Sequence, residues 1–221
     1  MNCGPGSSDK KSNIQNNLKV VGNKIKTKSK DIALLNQVHG NKFHYISKHT
    51  KINKKLEGDA LVTDKRNMPI AVLTADCVPI LIYDKNREMI AAIHAGWKGA
   101  YKGIINKVIK FMLKNGSFAN NITAVIGPCI LLKSYEVKQD FVKKFIKKDI
   151  KNKIFFKTAK DKNYFNLREY IVCQLKNLDI NKIEVINKDT YNIKNNFFSA
   201  RRSKDRDEDD YGRNISIIMI N

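Results

Sequence analysis

The chain is short of acidic residues, of arginine and of closely spaced cysteine. Against 42 Lys+Arg stand 21 Asp+Glu, a formal charge of +21 over 221 residues. That balance alone would point to nucleic acid. The scarcity of arginine argues the other way. Lys accounts for 35 of the basic residues and Arg for 7, whereas phosphate and base recognition favour the planar guanidinium. Asn (25) and Ile (28) are also abundant, and Lys, Asn and Ile together are what an A/T-rich coding sequence over-supplies. The charge reads as composition bias, and no nucleic-acid partner is expected from it. The four cysteines, Cys3, Cys77, Cys129 and Cys173, form no CxxC, so neither a zinc finger nor a disulfide framework is expected. The longest apolar stretch, Ile70 to Tyr83, is interrupted by Asp76 and Cys77 and is too short to cross a bilayer. No basic segment followed by an apolar one opens the chain, so a cytoplasmic protein with reduced thiols and no membrane partner is expected.

What is present suffices for a core. Hydrophobic residues make up 42%, and the length suits one domain or two small ones. Ile70–Leu73, Pro79–Tyr83 and Met89–Ile93 read as buried strands. Tyr101, Ile104, Ile105, Val108, Ile109 and Met112 share one helical face, with Gly116 as the stop. Thr123–Ile126 reads as a strand, and Val137, Phe141, Val142, Phe145 and Ile146 as a second helix. Asn166 and Glu169 suggest a capping box opening a third helix, with Leu167, Tyr170, Ile171, Leu175 and Leu178 as its apolar face. Ile183–Ile186 and Ile215–Ile220 are late strands. Strands and helices interleave without strict alternation, which predicts a mixed sheet in one α+β domain spanning residues 1–221. Six lysines between Lys143 and Lys153, and an acidic run from Asp205 to Asp210, read as solvated faces.

Three residues stand where apolar runs end: His39, Cys77 and His94. Strand ends are rigid platforms for reactive groups. Two imidazoles and one thiolate make a zinc shell with a fourth position free for water or substrate. Their spacings match no finger, and a buried cysteine with two hydrogen-bonded core histidines is the competing reading. Asp76 either serves as acid/base or fixes the turn that aims Cys77, and Asp59 leans to a structural role. Trp97 reads as a core anchor or a purine-stacking ring, and Cys129 as packing. His44 and His49 read as surface residues.

The segments Gln37-Val38-His39-Gly40, Gly58-Asp59-Ala60-Leu61-Val62-Thr63, Thr74-Ala75-Asp76-Cys77-Val78-Pro79-Ile80, His94-Ala95-Gly96-Trp97-Lys98-Gly99, Gly127-Pro128-Cys129-Ile130 and Ser134-Tyr135-Glu136-Val137 are joined late in the chain by Phe197–Arg202 and Gly212-Arg213-Asn214. In this order they resemble the laccase-like multicopper polyphenol oxidase family, now described as purine nucleoside phosphorylases, one branch being the peptidoglycan editing factors. The resemblance implies an α+β fold with mixed sheets packed between helices, layered α/β/β/α. It implies zinc at His39, Cys77 and His94, with Cys77, His94 and Asp76 catalytic. It implies phosphorolysis of adenosine, inosine and methylthioadenosine, with adenosine deamination beside it. Arg201 and Arg202 are the candidates for phosphate binding. The older family label implies copper, but multicopper centres need more His than the four present. A Cys77–His94 thiol hydrolase acting on cell-wall precursors is the alternative activity. A monomer or weak homodimer is expected.

The chain departs from the family pattern in three places. Its first residues resemble the middle of a family segment, so substrate contacts from the preceding part are expected to be missing. Leu131 stands where the family prefers Gly, and Asp189 where a Cys is common.

Overall fold

Continuous apolar runs supply the central strands, and the helices that cover them carry apolar stripes. In the computed structural model, residues 1–47 and 56–221 are described; His49 lies outside them. The described residues run α1 (Lys11–Lys24), β1 (Phe43–Ile46), β2 (Ala60–Thr63), β3 (Ile70–Thr74), β4 (Val78–Asp84), β5 (Met89–Ala95), α2 (Trp97–Tyr101), α3 (Ile104–Lys114), β6 (Ile122–Ile126), β7 (Glu136–Val137), α4 (Gln139–Lys148), β8 (Phe156–Ala159), β9 (Lys162–Phe165), α5 (Leu167–Lys176), β10 (Lys182–Val185), α6 (Ala200–Asp205) and β11 (Asn214–Ile218).

The main sheet has the order β1-β2-β5-β4-β6-β10. Its outer pairs are parallel and its inner pairs antiparallel. Side chains alternate between two faces. Ala60, Val62, Ile80, Ile82, Ala91 and Ile93 meet the buried stripes of α3 and α5. Leu61, Leu81, Ile90 and Ala92 point the other way, onto Ile70 and Val72 of β3 and Ile218 of β11. The β3–β11 pair is antiparallel, and its far face packs Ala71, Leu73, Ile215 and Ile217 against Leu18 and Val21 of α1. This is the α+β fold layered α/β/β/α. A three-stranded sheet, β7-β9-β8, packs beside α4. Each fully buried aliphatic side chain contributes about 1.5–3 kcal/mol, and the two faces of β5 are occupied throughout. Among the described residues no helix is long and apolar enough to cross a membrane.

Several elements differ from expectation. The helix read from Tyr101 is two helices, broken where Gly103 turns at φ +81°. Val137 lies on β7, and α4 begins two residues later. Asn166 caps α5 by accepting from the Glu169 N–H at 3.2 Å, but its own N–H goes to the Phe155 carbonyl, so only half of the capping box forms. Helix α1 was not expected, because its apolar residues are interspersed with Asn and Lys and no side chain caps its start. The acidic run is not a solvated face throughout. Asp205 accepts from the Tyr191 hydroxyl, and Asp210 accepts from the Ser8 amide and hydroxyl and from Arg213.

Candidate metal centre

The centre is assembled by strand register. Pairing of Ala60 with Ile93 sets Asp59 beside His94, and the His94 N–H donates to the Asp59 carbonyl at 2.7 Å. Their side chains also meet: His94 Nδ1 lies 2.8 Å from Asp59 Oδ1. Asp59 further accepts the His39 and Gly40 N–H groups, at 2.9 and 2.6 Å. One fully buried carboxylate therefore orients one imidazole and anchors the loop that carries the other. Burial pushes Asp59 up, but hydrogen bonds from His94, Gly40 and His39 outweigh it and hold the carboxyl below its ordinary value. Because the ionised carboxylate accepts, His94 carries a proton on Nδ1, which turns Nε2 toward Cys77.

Cys77 enters on the turn before β4. Pairing of Val78 with Ala95 sets it beside Gly96. A Cβ on Gly96 would come 2.9 Å from Cys77 Sγ and 3.1 Å from the His39 ring, so only glycine admits both side chains. Two backbone positions here are strained, His39 at φ +56° and Asp76 at φ +84°. Asp76 holds its turn from both sides. Its Oδ1 accepts from the Thr190 hydroxyl and its Oδ2 from the Arg201 N–H, each at 2.7 Å.

The structure brings His39, Cys77 and His94 together, with donor atoms within 4.8 Å of one another. The imidazole rings meet edge-on at 4.7 Å. Burial opposes charge on Cys77, yet the His94 charge and hydrogen bonds from both imidazoles lower its thiol to about 6. Burial likewise opposes charge on His94, yet the Cys77 charge and the bonds to Asp59 and Cys77 raise it to about 9. A site that stabilises a thiolate between two imidazoles, one backed by a carboxylate, fits a borderline-soft divalent metal.

The three side chains line a pocket of about 280 Å³ together with Gln37, Tyr211 and Arg213. Gly4, Pro5 and Gly6 form part of its wall, so the start of this chain reaches the site. Arg213 is the arginine of this pocket. The β3–β11 register pairs Asn214 with Thr74, which carries Arg213 to the level of Ala75, two residues before Cys77. Its guanidinium lies 4.4 Å over the Tyr211 ring and donates to Asp210 at 3.2 Å. Arg213 is one of the chain's seven arginines and sits in the Gly212-Arg213-Asn214 motif, which is its only signal in the sequence.

The two arginines expected to bind phosphate lie elsewhere. Arg202 donates to the carbonyls of Thr190, Tyr191 and Phe197 and ties that loop to α6. Arg201 donates to the Glu136 carbonyl and faces a different cleft. Trp97 is half-buried against Phe141 and Phe145. Cys129 is buried, which pushes its thiol up to about 12. Asp189 is buried too. It accepts from the Leu131 and Tyr191 amides and the Ser134 hydroxyl. Leu131 has φ −93°, a conformation that needs no glycine. His44 is half-buried and bonded to the Glu57 carbonyl at 2.8 Å.

A layered α+β fold gathers a cysteine and a histidine at strand ends with a second histidine on a loop, a set that could hold a metal ion. Residues 1–221 match the family described as multi-copper polyphenol oxidoreductase laccase, and the chain belongs to that family. It is 40% identical over 217 residues to a purine nucleoside phosphorylase of Rickettsia conorii, covering 96% of this chain and 88% of the relative. It is 36% identical over 193 residues to one of Clostridium acetobutylicum, covering 86% and 77%. The crystal structure of the Bacillus licheniformis hypothetical protein YfiH superposes with a TM-score of 0.89 at 29% identity, covering 100% of this chain and 85% of that one.

Proposed function

We propose that this chain is a zinc-dependent purine nucleoside phosphorylase acting on adenosine, inosine and methylthioadenosine. The observation that carries the reading is the convergence of His39, Cys77, His94 and Arg213 on one pocket. The names of the relatives support the reaction class.

Phosphorolysis forms a bond from a phosphate oxygen to C1′ of the ribose and breaks the bond from C1′ to the purine. The electron pair leaves with the base, which takes up a proton. The site must therefore hold a dianion beside the sugar. His39, Cys77 and His94 would hold the zinc, which when bound supplies a Lewis acid for a phosphate or water oxygen. Arg213 binds and orients the phosphate, since a guanidinium matches two phosphate oxygens at once. Asp59 fixes the His94 tautomer. Asp76 acts as a positioning residue, because both of its carboxylate oxygens are engaged in holding the Cys77 turn.

A nucleoside panel with and without phosphate, following free base and ammonia, tests this. Base release is expected to need phosphate, and Cys77→Ala and His94→Ala to abolish it. Full activity in Cys77→Ala would make that residue packing. Ammonia from adenosine reads the deaminase activity that accompanies the phosphorylase reading.

The Cys77–His94–Asp59 chain also supports a second reading, a thiol hydrolase. The His39 and Gly40 N–H groups, which could have stabilised an oxyanion, are both consumed by Asp59. Turnover without phosphate, and inactivation by alkylation without metal loss, would favour the hydrolase.

A further inference from the structure

A cleft that carries both rings and cations lies apart from the metal pocket. It measures about 800 Å³ and shares no lining residue with the pocket around Cys77. One wall is aromatic: Trp97, Tyr135 and Tyr164. The rim is cationic. Five cationic side chains, among them Lys144, Arg201 and Lys204, stand against three carboxylates. Two of those carboxylates are already engaged. Glu136 pairs with Lys162 at 2.8 Å, and Asp205 accepts from the Tyr191 hydroxyl at 3.0 Å. None of the five cations has a carboxylate partner among the described residues. Instead Lys144 Nζ sits 5.1 Å over the Trp97 ring, and the Arg201 guanidinium lies 5.4 Å over Tyr135.

Cations held over aromatic faces, with no counter-ion of their own, offer stacking and phosphate neutralisation at one place. An uncharged nucleoside would use the rings and leave the cations unsatisfied. Inorganic phosphate would use the cations and leave the rings. The volume is that of a small-molecule site. We propose that this cleft binds a nucleoside mono- or diphosphate, with its base against the Trp97–Tyr135 wall and its phosphates between Lys144, Lys204 and Arg201. The site is separate from the metal pocket and does not depend on the reaction proposed there.

The chain contains a single tryptophan, so its intrinsic fluorescence reports on this cleft. AMP and ADP titrated into the full-length, metal-loaded protein are expected to change that fluorescence saturably, with the same midpoints by calorimetry. Adenosine and ribose 5-phosphate are each expected to need concentrations at least about tenfold higher. The double variant Lys144→Glu with Lys204→Glu is expected to weaken AMP binding about tenfold or more while leaving phosphorolysis unchanged, since both side chains are exposed and outside the metal pocket. An absent or non-saturating signal overturns the proposal, as does AMP binding that survives the charge reversal. So does AMP binding lost in Cys77→Ala, which would place the ligand in the metal pocket. A short single-stranded RNA binding more than about tenfold tighter than AMP would make the cleft part of a nucleic-acid face instead.

Discussion

His94 Nδ1 and Asp59 Oδ1 lie 2.8 Å apart, with both side chains nearly inaccessible to solvent. The pair joins the antiparallel β2 and β5 beside Cys77, so it sets the direction of the His94 imidazole. Asp59→Asn is expected to keep the fold and to lower metal affinity about 10–100-fold, as loss of a carboxylate behind a metal-binding His commonly does. Metal titration against a competing chelator measures it.

Arg213, and not Arg201 or Arg202, occupies the pocket of His39, Cys77 and His94. Arg213→Ala is expected to raise the KM for phosphate about tenfold or more with a smaller effect on nucleoside KM, corresponding to loss of a charge-assisted contact. Arg201→Ala is expected to leave phosphate KM close to wild type. Steady-state kinetics with phosphate and nucleoside varied separately decide between the two arginines.

Metal-free protein is expected to expose an activated thiol. Cys77 is lowered to about 6, so its alkylation rate should rise with a midpoint near pH 6 and already be near its plateau at pH 8. The same pairing makes stability depend on pH from both sides. The Cys77 contribution is complete above its ordinary value of 9.0 and is lost as pH falls through about 6. The His94 contribution is complete below its ordinary value of 6.5 and is lost as pH rises through about 9. Metal-free protein should therefore be most stable between about pH 6 and pH 9. Thermal denaturation across pH, with Cys77→Ser removing the optimum, checks this.

Gly96→Ala places a methyl group against Cys77 Sγ and the His39 ring. Overpacking of this kind costs about 1–3 kcal/mol, and here it pushes apart the groups that must converge. Loss of metal binding is expected alongside a moderate loss of stability, read by metal content and by denaturant unfolding of the same samples.

Phe145 lies at the centre of the aromatic cluster between α4, β9 and α5, in ring contact with Phe141, Phe165 and Tyr170. Phe145→Ala is expected to cost about 3–5 kcal/mol. Denaturant unfolding measures it, and the metal stoichiometry of the surviving folded protein should be unchanged.

Much of this architecture was legible locally. The central strands β3, β4 and β5 lie within a residue or two of the apolar runs that predicted them, and the i, i+3, i+4 stripe of α3 is buried from Ile104 to Met112. Those patterns need only neighbours in sequence. The break at Gly103 is hidden in the sequence because the apolar period continues through it. Helix α1 escaped because its packing face became informative only once β3 and β11 had paired.

The amino-acid sequence by itself determined the class of fold, the central strands and the motifs that place Cys77 and His94 at strand ends; His39 instead lies on a loop before β1. Tertiary structure alone decided what those residues face. Asp59 becomes the partner of His94 through the β2–β5 register, and Arg213 enters the pocket through the β3–β11 register. Arg202, although adjacent in sequence to Arg201, is spent on another loop, while Arg201 faces a different cleft. The reason is physical. Periodicity records which face of an element is apolar, whereas a site is made by pairings across tens to hundreds of residues that no local pattern encodes.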